Sequence, residues 1–214
     1  MIGPRMMMKK SAALPYDAEV EYLESTGTQW IDTDIPLTFP VSVDLSLAMV
    51  SPYGTSGSLP IFGNRANYGG AKVAIWFTTG NKMYALNYGS YDSGYVLPYV
   101  TDGQKVSLAI QNGAKLYLDG TLIADGGSPT TQDDTGTILL FQMRDTNKAP
   151  ASRGQCLRLF SCRFYKSGEC VRDLIPVRFT NELGESEGAM YDRVSGQLFR
   201  NQGTGAFLWK DKTG

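Results

Sequence analysis

CLRLFSCRFYKSGECVRDLIPVRF, Cys156 to Phe179, decides how this chain is read. It holds two β-rich runs, Leu157–Tyr165 and Cys170–Phe179, split by Lys166-Ser167-Gly168-Glu169. Two such runs around a short glycine-containing break predict a β-hairpin, since glycine supplies the positive φ of a tight turn. Phe160, Cys162 and Phe164 share one face of the first run; Val171, Ile175, Val177 and Phe179 share one face of the second. The opposite faces mix Leu157, Leu159 and Leu174 with Arg163, Arg172 and Arg178, so the hairpin is expected to be covered on both sides. Pro176 lacks a ladder donor and is expected at an edge or a bulge.

Working outward, the rest of the chain supplies a facing sheet. Val41, Val43, Leu45, Leu47 and Met49 alternate with Ser42, Asp44, Ser46 and Ala48, the period of a strand with one dry face and one wet face. Asn112-Gly113, Asp119-Gly120 and Ser195-Gly196 are turn signals between short strand-like runs. About fourteen strands with turns every 8–12 residues predict an all-β fold, a two-sheet antiparallel β-sandwich. No ten-residue window forms a convincing amphipathic helix. The division expected is an irregular N-terminal arm over residues 1–15 and one sandwich domain over 16–214, a size at which such a fold is still a single unit.

Composition narrows the chemistry. A net charge of −1 with scattered basic residues gives no general pull toward nucleic acid or an anionic membrane. The absence of histidine removes the commonest general base, the Ser-His and Cys-His nucleophile pairs, and every histidine-containing metal site. The three cysteines, Cys156, Cys162 and Cys170, lie within the one hairpin and read as packed thiols, with Cys162 and Cys170 expected between the sheets. An odd count, and an N-terminus in which charge and proline stand where a signal peptide needs an apolar run, point to synthesis in a reducing cytoplasm.

Two sets of residues carry a resemblance. KLYLDGTLIAD, Lys115 to Asp125, looks like the strand–aromatic-x-Asp-Gly–strand hairpin of laminin-G-like and concanavalin A-like jelly rolls. EVEYLESTGTQWIDTDI (Glu19–Ile35), VRDLIPVR (Val171–Arg178) and MYDRVSGQLFRNQGTGAF (Met190–Phe207) together resemble a jelly-roll family of bacteriophage structural proteins and of surface or prophage proteins of gut bacteria. The resemblance implies a jelly roll used as a non-catalytic binding or virion-surface module, and with it a location in the virion. Fold likeness alone does not give function.

The candidate sites are few. Glu19-Val20-Glu21-Tyr22-Leu23-Glu24 has the carboxylate spacing of a glucanase strand, two side chains about 7 Å apart on one face. A glutamate replaces the middle aspartate of that pattern, so these residues are read as exposed acids of a terminal strand. An enzyme of glucanase-like fold, or a cell-surface lectin module, stays as the alternative. Calcium would need several converging oxygens, for which Asp133, Asp134, Asp145 and Asp92 are the candidates, with solvated loop acids the plainer reading. No catalytic residue, metal ligand or other cofactor is assigned.

The candidate ligand surface is the tyrosine-rich stretch. Tyr68, Tyr84, Tyr88, Tyr91, Tyr95 and Tyr99 fall together with Trp76, and Tyr88, Tyr91, Tyr95 and Trp76 are its binding residues. Rigid amphipathic rings among Gly, Ser, Asn and Asp suit recognition, and sugar rings stack on such faces. In the arm, Met6, Met7 and Met8 are adaptable apolar side chains expected to contact a partner: another virion protein, or a second copy in a homo-oligomer such as a trimer.

Overall fold

The computed structural model describes residues 14–51, 57–66, 70–78, 83–96, 100–111, 113–147, 150–151 and 154–213. Among them there are strands and turns and no helix. One sheet of ten strands runs β10 (Thr121–Asp125), β9 (Lys115–Leu118), β8 (Lys105–Gln111), β3 (Ser42–Met49), β12 (Leu157–Lys166), β1 (Ala18–Ser25), β13 (Glu169–Thr180), β14 (Ser186–Asp192) and β15 (Leu198–Arg200), with β16 (Leu208–Asp211) paired to β1. The other sheet has six strands, in the order β2 (Ile31–Leu37), β11 (Asp134–Leu140), β4 (Ser58–Arg65), β5 (Lys72–Thr78), β6 (Met83–Tyr88) and β7 (Tyr91–Val96). The chain is a two-sheet antiparallel β-sandwich.

The hairpin forms as its sequence dictates. Lys166 pairs with Glu169, and Ser167 and Gly168 turn at φ 51° and 84°, the two positive values of the favoured two-residue loop. Pro176 stands in an interior strand, at the place where β13 changes neighbour. The last pair with β12 is Leu174–Cys162, and the first with β1 is Val177–Glu19. A residue without an N–H sits there at no cost to either ladder.

Register explains one correction. A bulge in β12 falls between Leu159 and Ser161 relative to β3. Leu157 and Leu159 therefore face the core before it and Cys162 and Phe164 after it, while Phe160 turns to the outer face. Its ring meets Tyr22 edge-on at 5.5 Å, with the Lys105 ammonium 4.2 Å from its centroid. The expectation that Phe160 shares a face with Cys162 and Phe164 fails for that reason.

The core lies between the sheets. Val43, Leu45, Leu47 and Met49 of β3 face Phe62, Val73, Ile75, Phe77, Tyr84 and Leu86, all at 1% exposure or less. A smaller cluster, Ile175, Val177, Phe179 and Ala189, is covered by Tyr16, Tyr191 and Leu198. The STGTQW loop and the NQGTG loop are joined face to face. Gln202 and Thr204 donate their N–H groups to the carbonyls of Trp30 and Thr28, and Trp30 N–H donates to Asn201 Oδ1 at 3.2 Å. A Cβ on Gly203 would lie 2.0 Å from the Thr28 carbonyl oxygen, so only glycine permits that approach.

Candidate ligand site on the six-stranded sheet

β5 and β6 lie inside the six-stranded sheet and β7 closes its edge. Strand alternation sends Ile75, Phe77, Tyr84, Leu86 and Tyr88 into the core and leaves Trp76, Ala85 and Asn87 on the outside. Pairing then lines up two rows across the strands. Trp76 pairs with Ala85 and Ala85 with Tyr95; Ala74 pairs with Asn87 and Asn87 with Asp92.

The first row sets two aromatic side chains two strand spacings apart, about 9.6 Å between Cα positions, with only a methyl group between them. The second row gives this slot a polar wall. Trp76 Nε1–H donates to Asn87 Oδ1 at 2.9 Å, which fixes the indole. Asp92 Oδ1 accepts the Gly94 N–H at 3.0 Å, and Ser93 Oγ accepts the Leu86 N–H at 2.9 Å, which holds the irregular stretch of β7 in place. The Arg65 guanidinium sits 5.5 Å from the Trp76 ring centroid. Arg65, Trp76, Asn87, Asp92 and Tyr95 line one open recess of about 480 Å³. Tyr95 is 50% exposed, the highest value of any tyrosine described. Exposed aromatic faces beside an amide and a carboxylate can stack on a saturated ring while bonding its hydroxyls.

Of the four sequence-predicted binding residues, Trp76 and Tyr95 meet in this recess and two do not. Tyr88 is 2% exposed and belongs to the core. Its hydroxyl accepts the Val41 N–H at 3.0 Å and lies 3.4 Å from the Val41 carbonyl, and burial raises its pKa. Tyr91 pairs with Tyr88 across the β6–β7 turn and packs against the core edge. Its ring lies so flat on Gly126 that a Cβ there would come within 2.5 Å. Burial first, then Asp125 and Asp92, raise its pKa. Tyr84 is wholly buried. Tyr68 and Tyr99 lie outside the described residues, as do Met6, Met7 and Met8. Asn87 lies within the tyrosine-rich stretch but was not singled out, and Asp92 was singled out only as a candidate calcium ligand; parity with the core-facing Tyr88 was the signal that could have found Asn87. Arg65 comes from another strand and has no local signal.

The other candidates are dispersed. Asp133 accepts the Phe39 N–H, Asp134 the Gly136 N–H and Asp145 the Asn147 N–H. Among the described residues no three acidic or cysteine side chains converge on a metal position. Glu19 is paired with Lys212 and Glu21 with Lys210, so a lysine of β16 and the lysine just after it tie down both carboxylates of the glucanase-like spacing. Lys210 heads the causes that lower the Glu21 pKa. Cys162 is fully buried, but Cys170, paired with Tyr165 beside the β12–β13 turn, is exposed. That corrects the expectation of a buried Cys170.

Two further recesses are less apt. On the outer face of the ten-stranded sheet, Ser46, Ser107 and Ser161 floor a trough of about 420 Å³. Gln111 donates to Asp44 at 3.0 Å and Arg163 to Asp173 at 3.0 Å. Between the sheets, Ile35, Phe39, Ile138 and Phe164 line an apolar slot of only about 140 Å³. Searches of the sequence against protein-family models and against curated proteins find no match.

Proposed function

We propose that this chain is a non-catalytic binding module whose ligand is a carbohydrate, held on the outer face of the six-stranded sheet. The observation that carries this is the Trp76–Ala85–Tyr95 row, with Asn87 and Asp92 alongside. Aromatic rings on the outer face that flank a methyl-sized gap offer faces that match the C–H faces of a sugar. The polar wall adds the direction-giving hydrogen bonds that distinguish one sugar from another.

The likeness of Glu19–Ile35, Val171–Arg178 and Met190–Phe207 to phage structural jelly rolls supports placing such a module on a phage or phage-like particle, as a decoration, fibre or receptor-binding component. In that setting the glycan belongs to a cell surface, and Met6–Met8 contact a neighbouring subunit. A Met6→Ser, Met7→Ser, Met8→Ser chain compared with the unaltered one by sedimentation tests that contact; equal oligomeric states refute it.

Affinity electrophoresis of the full chain through gels containing neutral and acidic polysaccharides tests the ligand. Retardation by at least one polysaccharide is expected, with loss in Trp76→Ala and strong weakening in Tyr95→Ala. A reducing-end assay on the same polymers should stay at background. Turnover that disappears in Glu21→Gln would replace the binding reading with a hydrolytic one.

A further inference from the structure

Resting on that carbohydrate reading, we infer that the site selects a sugar unit with two neighbouring equatorial hydroxyls, held between the Asn87 amide and the Asp92 carboxylate. Asn87 is only 6% exposed, yet it lines the recess. Its Oδ1 accepts the Trp76 indole N–H, and among the described residues nothing accepts the hydrogens of its amide nitrogen. A donor placed so deep is satisfied by what enters the recess. Asp92 stands directly opposite on β7. One of its oxygens accepts the Gly94 N–H, which leaves the second for a ligand. Cross-strand partners hold their Cβ atoms about 5 Å apart, so the recess offers a donor and a charged acceptor side by side.

The occupant of that pair follows from its chemistry. An apolar group would leave both side chains dry and unbonded, and an anion placed between them would meet the Asp92 charge. A hydroxyl accepts and donates at once. Two of them side by side on one ring take the amide hydrogen and give a hydrogen to the carboxylate. Position then fixes their geometry. The Asn87–Asp92 row lies two residues along the strands from the Trp76–Ala85–Tyr95 row, about 7 Å away on the same outer face. A sugar whose C–H face lies along the aromatic row carries its equatorial hydroxyls at the rim, toward the second row. An axial hydroxyl stands on the face instead and holds the ring off the aromatic side chains. Neighbouring equatorial hydroxyls, as in four-linked glucose or xylose units, meet both demands.

The test measures depletion of the full chain from solution by five insoluble polymers. Amorphous cellulose, xylan and amylose carry the equatorial pair within the chain. Curdlan, a three-linked glucan, has no neighbouring hydroxyls within its chain, and in four-linked mannan one of the two is axial. At least one of the first three should bind more tightly than curdlan and mannan by on the order of 10- to 100-fold, the range for one hydrogen bond to a charged group. Asp92→Asn keeps an oxygen for the Gly94 N–H, so its thermal midpoint should match that of the unaltered chain, while its binding falls to the curdlan level. Asn87→Asp keeps an acceptor for the indole but removes the donor, and should weaken the same polymers. Trp76→Ala should abolish binding altogether. Equal binding to all five, lost in Trp76→Ala, overturns the hydroxyl-pair preference and leaves the carbohydrate site standing. A preference that survives both Asp92→Asn and Asn87→Asp overturns it as well, because the discrimination then lies elsewhere. Binding to none of the five overturns this inference, and binding to no polysaccharide of the wider panel overturns the carbohydrate reading with it.

Discussion

Gln29 Nε2–H donates to the carbonyl of Ala206 at 3.1 Å, joining two loops 177 residues apart in the chain. Gln29 is 2% exposed, and its Oε1 accepts the Thr26 N–H at 2.8 Å. One buried amide thus holds its own loop and docks the C-terminal one. Gln29→Leu keeps the volume and leaves these groups unpaired, at a cost of about 2–3 kcal/mol. For a chain of this size that lowers the thermal midpoint by about 5–10 °C. An unchanged midpoint by calorimetry would show that the loops are held from elsewhere.

Gly203 tests the same junction by steric means. Alanine there would drive its Cβ against the Thr28 carbonyl and within 2.9 Å of the Trp30 ring, and backbone does not step aside as a side chain can. Gly203→Ala should destabilise at least as much as Gln29→Leu. Because both changes open one contact, their combination should cost clearly less than the sum. Strict additivity in denaturant unfolding would contradict the coupling.

Asp192 gives a pH signature. Its side chain is fully buried in the β14–β15 turn. Burial, the largest single influence, pushes its carboxyl up. The Ser195 hydroxyl and the N–H groups of Asp173, Val194 and Ser195 outweigh burial together and hold it below the usual value. A carboxyl lowered on folding contributes stability that is fully present above its unfolded value of about 3.9 and lost as pH falls through the lower folded value. The stability gap between the unaltered chain and Asp192→Asn should be constant near neutrality and shrink as pH falls below about 4. A gap that grew on acidification would reverse the assignment.

The bulge in β12 makes a matched pair of phenylalanines. Phe164 is 2% exposed in the core, so Phe164→Ala should cost about 3–5 kcal/mol. Phe160 lies on the outer face against Tyr22, and Phe160→Ala should cost about 1 kcal/mol. Equal losses in urea unfolding would return Phe160 to the core.

The thiols separate by burial. Cys170 should alkylate in the native protein, while Cys156 and Cys162 should react only after unfolding. Burial pushes the Cys162 thiol well above its usual range, which slows it further. Intact mass after native and denatured alkylation should show one and three adducts. Two or more native adducts, or a Cys162–Cys170 bridge, would contradict this placement.

Much of the fold was legible because its signals are local. Period-two alternation in Val41–Met49 and the Ser167-Gly168 turn each act within a few residues, and both appear as read. Phe160 was misread because a bulge shifts parity without any mark in composition. The site was legible in part for the same reason. Trp76 and Tyr95 could be found by their type, but Tyr88 and Tyr91 share that type and face inward, and only register tells the two pairs apart. Arg65 reaches the recess from β4, and no spacing within the tyrosine-rich stretch points to it. The Gln29–Ala206 contact is of that long-range kind too.

The most direct test of the ligand site follows the three indole N–H resonances during titration with oligosaccharides cut from the polysaccharide that retards the protein most. Trp76, whose indole lines the recess and bonds Asn87, should shift progressively and saturate. Trp30, beside the NQGTG loop, and Trp209, on β16, should stay in place. A stationary Trp76 with shifts at Trp30 or Trp209, or in amides of the ten-stranded sheet, would contradict a ligand site at Trp76 and Tyr95.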